Sequence, residues 1–201
     1  MALIARTFIV LTLIVILLTP SVQAGDVSPK ITIGTQEIGL TAGYFFPHLL
    51  SDRKSKTEQH GPAFMPSWMM TLTEPLGEGW YRGQISLGAE MAYIQFEEPI
   101  LTHGIGFNPR AKYTFVALGR FRPYIEFAGG PFWTDLGGKI PEQSTQFNFI
   151  VSGGVGLNYF LTNHAALNIG YRFHHISNAH TGERNVGLNA SLPFAGFSLF
   201  F

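Results

Sequence analysis

Residues 164–177 read HAALNIGYRFHHIS, a stretch in which apolar and polar side chains alternate. Successive side chains of a β-strand point to opposite faces, so a period of two indicates a strand between two environments. The odd positions are apolar as far as the last two: Ala165, Leu167, Ile169, Tyr171, Phe173, His175 and Ser177. The even positions carry most of the polar groups: Ala166, Asn168, Gly170, Arg172, His174 and Ile176. The pattern predicts an odd face towards lipid and an even face towards a barrel interior.

The same alternation recurs along the chain and predicts eight strands, at residues 34–46, 63–74, 80–96, 104–117, 121–132, 145–160, 164–177 and 186–201. The connections between these strands alternate strictly between long and short. Long external loops and short periplasmic turns are typical of outer-membrane barrels, and an even number of strands places both termini in the periplasm. The sequence therefore predicts an all-β fold, an eight-stranded antiparallel transmembrane β-barrel of the outer membrane.

Composition favours this barrel over its alternative, a secreted barrel of lipocalin type. Charged residues make up 13% of the 201 residues, too few to cover the exterior of a water-soluble barrel. The formal net charge is zero, so nothing indicates a nucleic-acid partner. The chain has no cysteine, which excludes disulfides and thiolate metal sites.

Residues 1–24 predict a secretory signal peptide. Arg6 precedes an apolar run from Phe8 to Leu18, and Val22-Gln23-Ala24 has the small-x-small form of a cleavage site. A retained membrane anchor is the less favoured alternative, because a spanning helix needs about 20 apolar residues. We expect residues 25–201 to form the barrel as one domain.

His175 and Ser177 end the lipid-facing side of the strand at 164–177. With periplasmic termini this strand runs outward and ends near the outer leaflet. Unpaired polar groups against hydrocarbon are costly, so the pair favours a functional reading. A serine hydroxyl becomes a nucleophile when a neighbouring imidazole takes its proton, and a third group then orients the imidazole.

Two residues are candidates for that third group, Glu183 in the following loop and Asn189 at the start of the last strand. The phase of Asn189 is ambiguous. Counting back from an outward Phe201 places it on the outer face, whereas the apolar alternation of residues 188–194 places it inside. A bulge near residues 193–196 would reconcile the two.

The motif His175-Ile-Ser177-Asn178-Ala179, followed by Asn185-x-Gly187 and a final aromatic strand, resembles the PagL family of lipid A 3-O-deacylases. Residues 149–159 are also similar to that family. The resemblance implies an outer-membrane esterase that hydrolyses the ester-linked 3-hydroxyacyl chain of lipid A.

That resemblance assigns roles to individual residues. It implies Ser177 as the nucleophile, His175 as the base and Asn178 as part of the oxyanion hole. Known members have a glutamate twelve positions after the serine, where this chain has Asn189. An asparagine carbonyl can still accept the imidazole Nδ1–H, although it stabilises imidazolium less.

Two other functions stay open. A His-x-Ser with an asparagine twelve residues after the serine also resembles outer-membrane phospholipase A, a larger calcium-dependent barrel. A non-enzymatic OmpA-like structural barrel is the other alternative.

The deacylase reaction requires no cofactor, and no metal site is predicted. The expected partners are lipid A or lipopolysaccharide and other outer-membrane lipids, whose phosphates could meet Arg53, Lys54 and Lys56; a homodimer is left open.

The even positions of the strands predict the contents of the barrel. Glu90 and Glu126 are expected to form interior ion pairs with arginines from the set Arg82, Arg122 and Arg172. His174 is expected to point inward to a polar partner.

Overall fold

The computed structural model describes residues 27–48 and 57–201, which form a closed antiparallel barrel. The strands are β1 (Gln36–Pro47), β2 (Gly61–Thr71), β3 (Gly83–Phe96), β4 (Thr102–Phe115), β5 (Phe121–Thr134), β6 (Phe147–Phe160), β7 (Ala165–Ser177) and β8 (Leu188–Phe200). Each strand pairs with the next along the chain, and β1 closes the barrel against β8. The predicted fold class and all eight strands are confirmed, with small differences at the ends.

Two predictions fall outside the described residues, the signal peptide over residues 1–24 and the lipid contacts of the basic side chains in the first long loop. One strand end differs from the prediction for a local reason. Residues 79–81 form a short 3-10 helix, so β3 begins at Gly83. No described helix is long and apolar enough to cross a membrane.

The outer wall of the barrel is apolar along most of its strands. Exposed large apolar side chains come from every strand, among them Leu40, Phe64, Leu87, Phe107, Phe127, Val155, Ile169 and Leu199. The predicted faces of β7 are confirmed, because Leu167, Ile169 and Tyr171 are exposed whereas Asn168 and Arg172 are buried. A transmembrane barrel presents an exterior of this kind to hydrocarbon.

The middle of the barrel holds a buried network of ion pairs. Arg172 donates from Nη1 to Oε1 of Glu90 at 2.8 Å and from Nε to Oε1 of Glu126 at 2.6 Å. Arg110 pairs with the same two carboxylates, and Lys112 pairs with Glu37. Three cations thus balance three anions.

The interior positions of Glu90 and Glu126 are confirmed, and so is Arg172 as their partner. The other two predicted partners are wrong. Arg122 donates to the backbone carbonyls of Gly119 and Pro29, at 2.7 and 3.1 Å. Arg82 precedes β3 on the exposed rim, where it cannot reach the centre of the barrel.

An apolar cluster fills the end of the barrel that carries the loops after β1, β3, β5 and β7. Its members include Phe45, Phe96, Phe132, Ile150, Ile176, Leu188 and Leu192 from strands, with Leu136 and Ile140 from the loop after β5. At the opposite end Val27 and Ile31 pack against Phe160, Ala166 and Phe200. The interior is therefore filled by side chains and ion pairs.

This apolar cluster explains why the phase of Asn189 was ambiguous. Pairing between β7 and β8 runs without interruption from Ala165↔Leu199 to Ile176↔Leu188, so no bulge near residues 193–196 is needed to reconcile the two phases. Leu188, Ala190 and Leu192 point inward because the interior is apolar at this end. Asn189 consequently faces outward.

His174 points inward as predicted, but its expected polar partner is not found among the described residues. Both ring nitrogens are buried and unpaired there. The ring instead meets Phe45 edge-on, with 6.0 Å between the ring centroids. His174 thus belongs to the apolar end of the interior.

The ion-pair network predicts a large effect of Arg172→Met on stability. The substitution removes two of the salt bridges that neutralise Glu90 and Glu126. Because breaking a buried ion pair leaves uncompensated charge, we expect the free energy of unfolding to fall by about 3–5 kcal/mol. Urea unfolding of the barrel in detergent micelles measures it.

Arg122→Met is the matched control. Among the described residues its guanidinium donates hydrogen bonds only to two backbone carbonyls. Its loss therefore leaves no carboxylate without a cation and is expected to cost about 2 kcal/mol. Equal losses in the two variants would contradict the assignment of the network as the main polar support of the barrel.

Candidate active site

The outer wall near the end of β7 carries a hydrogen-bonded imidazole and amide. His175 and Asn189 are direct partners in the β7–β8 pairing, and both point outward. The Nδ1 of His175 lies 2.7 Å from Oδ1 of Asn189. Because an amide oxygen only accepts, this contact keeps the imidazole hydrogen on Nδ1 and leaves Nε2 able to take a proton.

Ser177 lies two residues beyond His175 on the same outward face. The spacing separates their Cα atoms by roughly 7 Å along the strand, within reach of a serine–imidazole hydrogen bond after side-chain rotation. Among the described residues the Ser177 hydroxyl has no hydrogen-bond partner, so its rotation breaks no contact. Such a bond often tightens only when the substrate is bound.

Of the two predicted third groups, the structure brings only Asn189 to the imidazole. Glu183 is an exposed residue of the loop after β7 and makes no hydrogen bond to His175. The continuous register of β7 and β8 explains the choice, since cross-strand partners on one face have Cβ atoms about 4.5–5.5 Å apart.

Asn178 is fully buried and holds the loop after β7 together. Its Nδ2 donates to the Arg184 carbonyl at 2.8 Å, and its Oδ1 accepts from the backbone N–H of His180 at 3.0 Å. Ala179 and His180 have positive φ angles of 50° and 63°, so this side chain supports a tight, strained turn. Its role in the oxyanion hole stays a prediction.

Asn185 is a second amide in this loop that sequence reasoning did not single out for a role. Its Oδ1 accepts the backbone N–H of Asn178 at 2.9 Å. That contact orients the amide and leaves its NH₂ group without a partner among the described residues. A donor fixed in this way, beside the residue that follows Ser177, has the chemistry required to stabilise an oxyanion.

Gly187 supports the imidazole from the other side. Its φ of +81° suits glycine, and a Cβ built there would lie 2.7 Å from Cε1 of His175. The backbone of Gly187 therefore packs directly against the ring. The Asn185-x-Gly187 motif included this glycine in the family resemblance, and its contact with the His175 ring is the physical reason for a glycine there.

Comparisons with known proteins identify the family and the fold of this chain. The family model described as lipid A 3-O-deacylase (PagL) matches residues 38–197. The crystal structure of the outer membrane enzyme PagL is 19% identical with a TM-score of 0.55, covering 80% of this chain and 97% of that one. Neisserial surface protein A (NspA) is 16% identical with a TM-score of 0.51, covering 84% and 97%. Comparison with curated protein sequences gives no significant match.

The packing of Gly187 against the imidazole predicts that Gly187→Ala damages catalysis. The new methyl group would displace the ring of His175 or force the loop to move. Because misplacing a catalytic group by about 1 Å can cost up to 10²-fold, we expect ester hydrolysis to fall at least about tenfold. Turnover of a long-chain ester by the folded protein measures it.

Gly119→Ala controls for backbone strain. Gly119 also has a positive φ, of 62°, but a Cβ there would meet nothing within 4 Å. This variant is expected to lose some stability and to keep its turnover. Equal loss of turnover in both variants would show that strain, rather than contact with His175, is responsible.

Proposed function

The chain belongs to the PagL family of lipid A 3-O-deacylases, and we propose that Ser177, His175 and Asn189 carry out the corresponding ester hydrolysis. The substrate is the ester-linked 3-hydroxyacyl chain of lipid A in lipopolysaccharide. The observation that carries this proposal is the hydrogen bond from His175 to Asn189 on the outer wall, two residues from a serine on the same face.

The reaction follows from the tautomer of His175. Oxygen Oγ of Ser177 attacks the ester carbonyl carbon while Nε2 of His175 takes the hydroxyl proton. Collapse of the tetrahedral intermediate breaks the bond to the sugar oxygen, which receives that proton from Nε2. Water then attacks the acyl-serine with His175 again as the base, releasing the hydroxy fatty acid and restoring Ser177.

Asn189 gives this triad an uncharged third member. Its carbonyl oxygen holds the ring and fixes the proton on Nδ1, which are the positioning tasks of the third group. A carboxylate would in addition stabilise the imidazolium that forms in the transition state, because charge-assisted hydrogen bonds are about twice as strong as neutral ones. The asparagine thus supplies orientation with less electrostatic stabilisation.

The oxyanion of the intermediate requires donors near Ser177. Asn178 fills this role by resemblance, although its amide already donates to the Arg184 carbonyl. Asn185 has the better placed free NH₂ group, since its oxygen is anchored by the backbone N–H of Asn178. In this proposal Asn178 shapes the loop and Asn185 donates to the oxyanion.

The placement of the triad supports lateral entry of the substrate from the outer membrane. His175, Ser177 and Asn189 all point away from the barrel axis, at the end of an apolar wall. The interior is blocked by Arg172, Glu90 and the apolar cluster, so a lipid has no path through it. The ester group can reach Ser177 while the acyl chains remain in hydrocarbon.

A phospholipase of the outer-membrane type is the second candidate function. The observation that favours it is that Oδ1 of Asn189 lies 2.7 Å from Nδ1 of His175, because an asparagine as the third member of the triad resembles outer-membrane phospholipase A. The same chemistry would then release fatty acid from a glycerophospholipid. The two functions differ in their product.

Mass spectrometry of lipid A tests the proposed function. Lipid A is extracted from Gram-negative cells that produce the intact protein or its Ser177→Ala variant. We expect the intact protein to remove one 3-hydroxyacyl chain and the variant to remove none, because Ser177 supplies the nucleophile. Unchanged lipid A together with lysophospholipid release would favour the phospholipase. The absence of both products would contradict esterase activity.

Substitutions at Asn189 test the third member of the triad. Asn189→Leu removes the acceptor for Nδ1–H and is expected to lower turnover at least about tenfold. Asn189→Glu restores a carboxylate and is expected to raise turnover up to about tenfold through the charge-assisted bond. The measurement is the initial rate of lipid A deacylation in detergent micelles.

Glu183→Gln is the control, because this exposed loop carboxylate makes no hydrogen bond to His175. It is expected to retain the turnover of the unmodified protein. A large loss in Glu183→Gln with none in Asn189→Leu would transfer the orienting role to Glu183.

A further inference from the structure

A second hydrogen-bonded cluster lies on the lipid-facing wall beside the triad. Its members are His48, Tyr171 and Ser191, one each from the end of β1, from β7 and from β8. The Tyr171 hydroxyl lies 2.6 Å from Oγ of Ser191, which lies 2.8 Å from Nδ1 of His48. Tyr171 and His48 are 3.3 Å apart, and the two side chains leave Ser191 only 3% exposed.

The register places this cluster in line with the triad. The backbone N–H of His48 donates to the Asn189 carbonyl at 3.1 Å, and Asn189 pairs with His175 on its other side. His175, Asn189 and His48 therefore form one row across three adjacent strands. Neighbouring strands are about 4.8 Å apart, so the two histidines are separated by roughly 10 Å.

The hydrogen-bond inventory leaves one group of the cluster free. Tyr171 can donate to Ser191, and Ser191 can donate to Nδ1 of His48, which uses both hydroxyl hydrogens internally. With the hydrogens arranged in this way, the imidazole hydrogen resides on Nε2, which has no partner among the described residues. A chain of this kind polarises its terminal donor and strengthens it.

A free donor on a lipid-facing wall needs an acceptor from the membrane, because an unpaired polar group in hydrocarbon is costly. Phe173 meets the His48 ring edge-on, with 4.9 Å between centroids, and so limits where the ring can turn. Apolar side chains at these three positions would suit contact with hydrocarbon, and no polar group would be needed there. A ligand with a hydrogen-bond acceptor would satisfy this donor.

We infer that His48, supported by Ser191 and Tyr171, binds the linkage carbonyl of a second acyl chain in the same substrate molecule. This inference rests on the proposed function, since it places the scissile ester at Ser177. Lipid A carries several acyl chains on one sugar scaffold, joined through ester or amide carbonyls that lie close to one another. A donor in the same row as His175, about two strands away, suits a neighbouring linkage better than the scissile one.

The consequence is selectivity for multiply acylated lipids. Binding through His48 stabilises a substrate with a neighbouring acyl linkage and does nothing for a single-chain ester. The site thus distinguishes lipid A from simple esters by the number of its acyl chains, independently of the attack by Ser177.

His48→Phe tests the inference, because it keeps an aromatic ring against Phe173 and removes both ring nitrogens. Two substrates are compared, lipid A and a single-chain p-nitrophenyl ester. Losing one hydrogen bond to the substrate typically changes affinity by about 3- to 10-fold. We expect kcat/KM for lipid A to fall by that factor more than kcat/KM for the ester, mainly through KM. Tyr171→Phe is expected to act in the same direction with a smaller effect.

Tyr44→Phe is the matched control. Tyr44 is another outward tyrosine, but its hydroxyl bonds to Glu97 and His60, each at 3.0 Å, away from the triad. It is expected to leave the ratio of the two substrates unchanged. An equal ratio in His48→Phe and the intact protein would overturn the inference and reduce the cluster to a structural link between β1 and β7.

A binding measurement keeps the result separate from the proposed function. In a Ser177→Ala background, lipid A in micelles is expected to bind about 3- to 10-fold more weakly when His48→Phe is added. An equal weakening towards micelles of single-chain lysophosphatidylethanolamine, which has no second acyl linkage, would overturn the inference. If the intact protein hydrolyses neither ester nor lipid A, the proposed function fails while this binding result still decides the role of His48.

Discussion

Closure of the barrel between β1 and β8 is the constraint on which the rest of the structure depends. In hydrocarbon every backbone N–H and C=O group needs an internal partner, and only a closed ring of strands gives each strand two neighbours. Closure fixes the register of all eight pairings, and the register fixes which side chains face lipid. Because side chains alternate strictly, a slip of one residue would turn His175, Ser177 and Asn189 into the interior.

Compared with a water-soluble protein, this barrel has the opposite arrangement, with charged side chains inside and apolar side chains outside. The charged residues of the strands meet inside, where Arg172 and Arg110 neutralise Glu90 and Glu126. The residues of the proposed triad are outside, where hydrocarbon would otherwise exclude polar groups. The imidazole of His175 is tolerated there because Asn189 satisfies its Nδ1–H, so the bond that orients the proposed catalytic base also lowers the free energy of placing it in the wall.

Local alternation was sufficient to predict the strands and the faces of β7 from the sequence, because one buried and one lipid-facing side impose a period of two. It was insufficient at Asn189, because the inward residues Leu188 and Leu192 are as apolar as residues that face lipid, so hydrophobicity does not distinguish the two faces there. Arg110 was missed as an ion-pair partner because its pairing with Glu126 crosses β4 and β5 and has no local signal. The contact of His48 with Ser191 joins residues 143 positions apart, and only closure of the barrel brings them together.

Ser177 is the proposed nucleophile, although a second serine, Ser191, lies 2.8 Å from a histidine on the same wall. Covalent labelling with a long-chain alkyl fluorophosphonate, followed by tryptic digestion and mass spectrometry, distinguishes them most directly. Cleavage after Arg184 separates the two serines into different peptides. We expect an adduct on Ser177 that disappears in His175→Ala. An adduct on Ser191, with Ser177 unmodified, would contradict it.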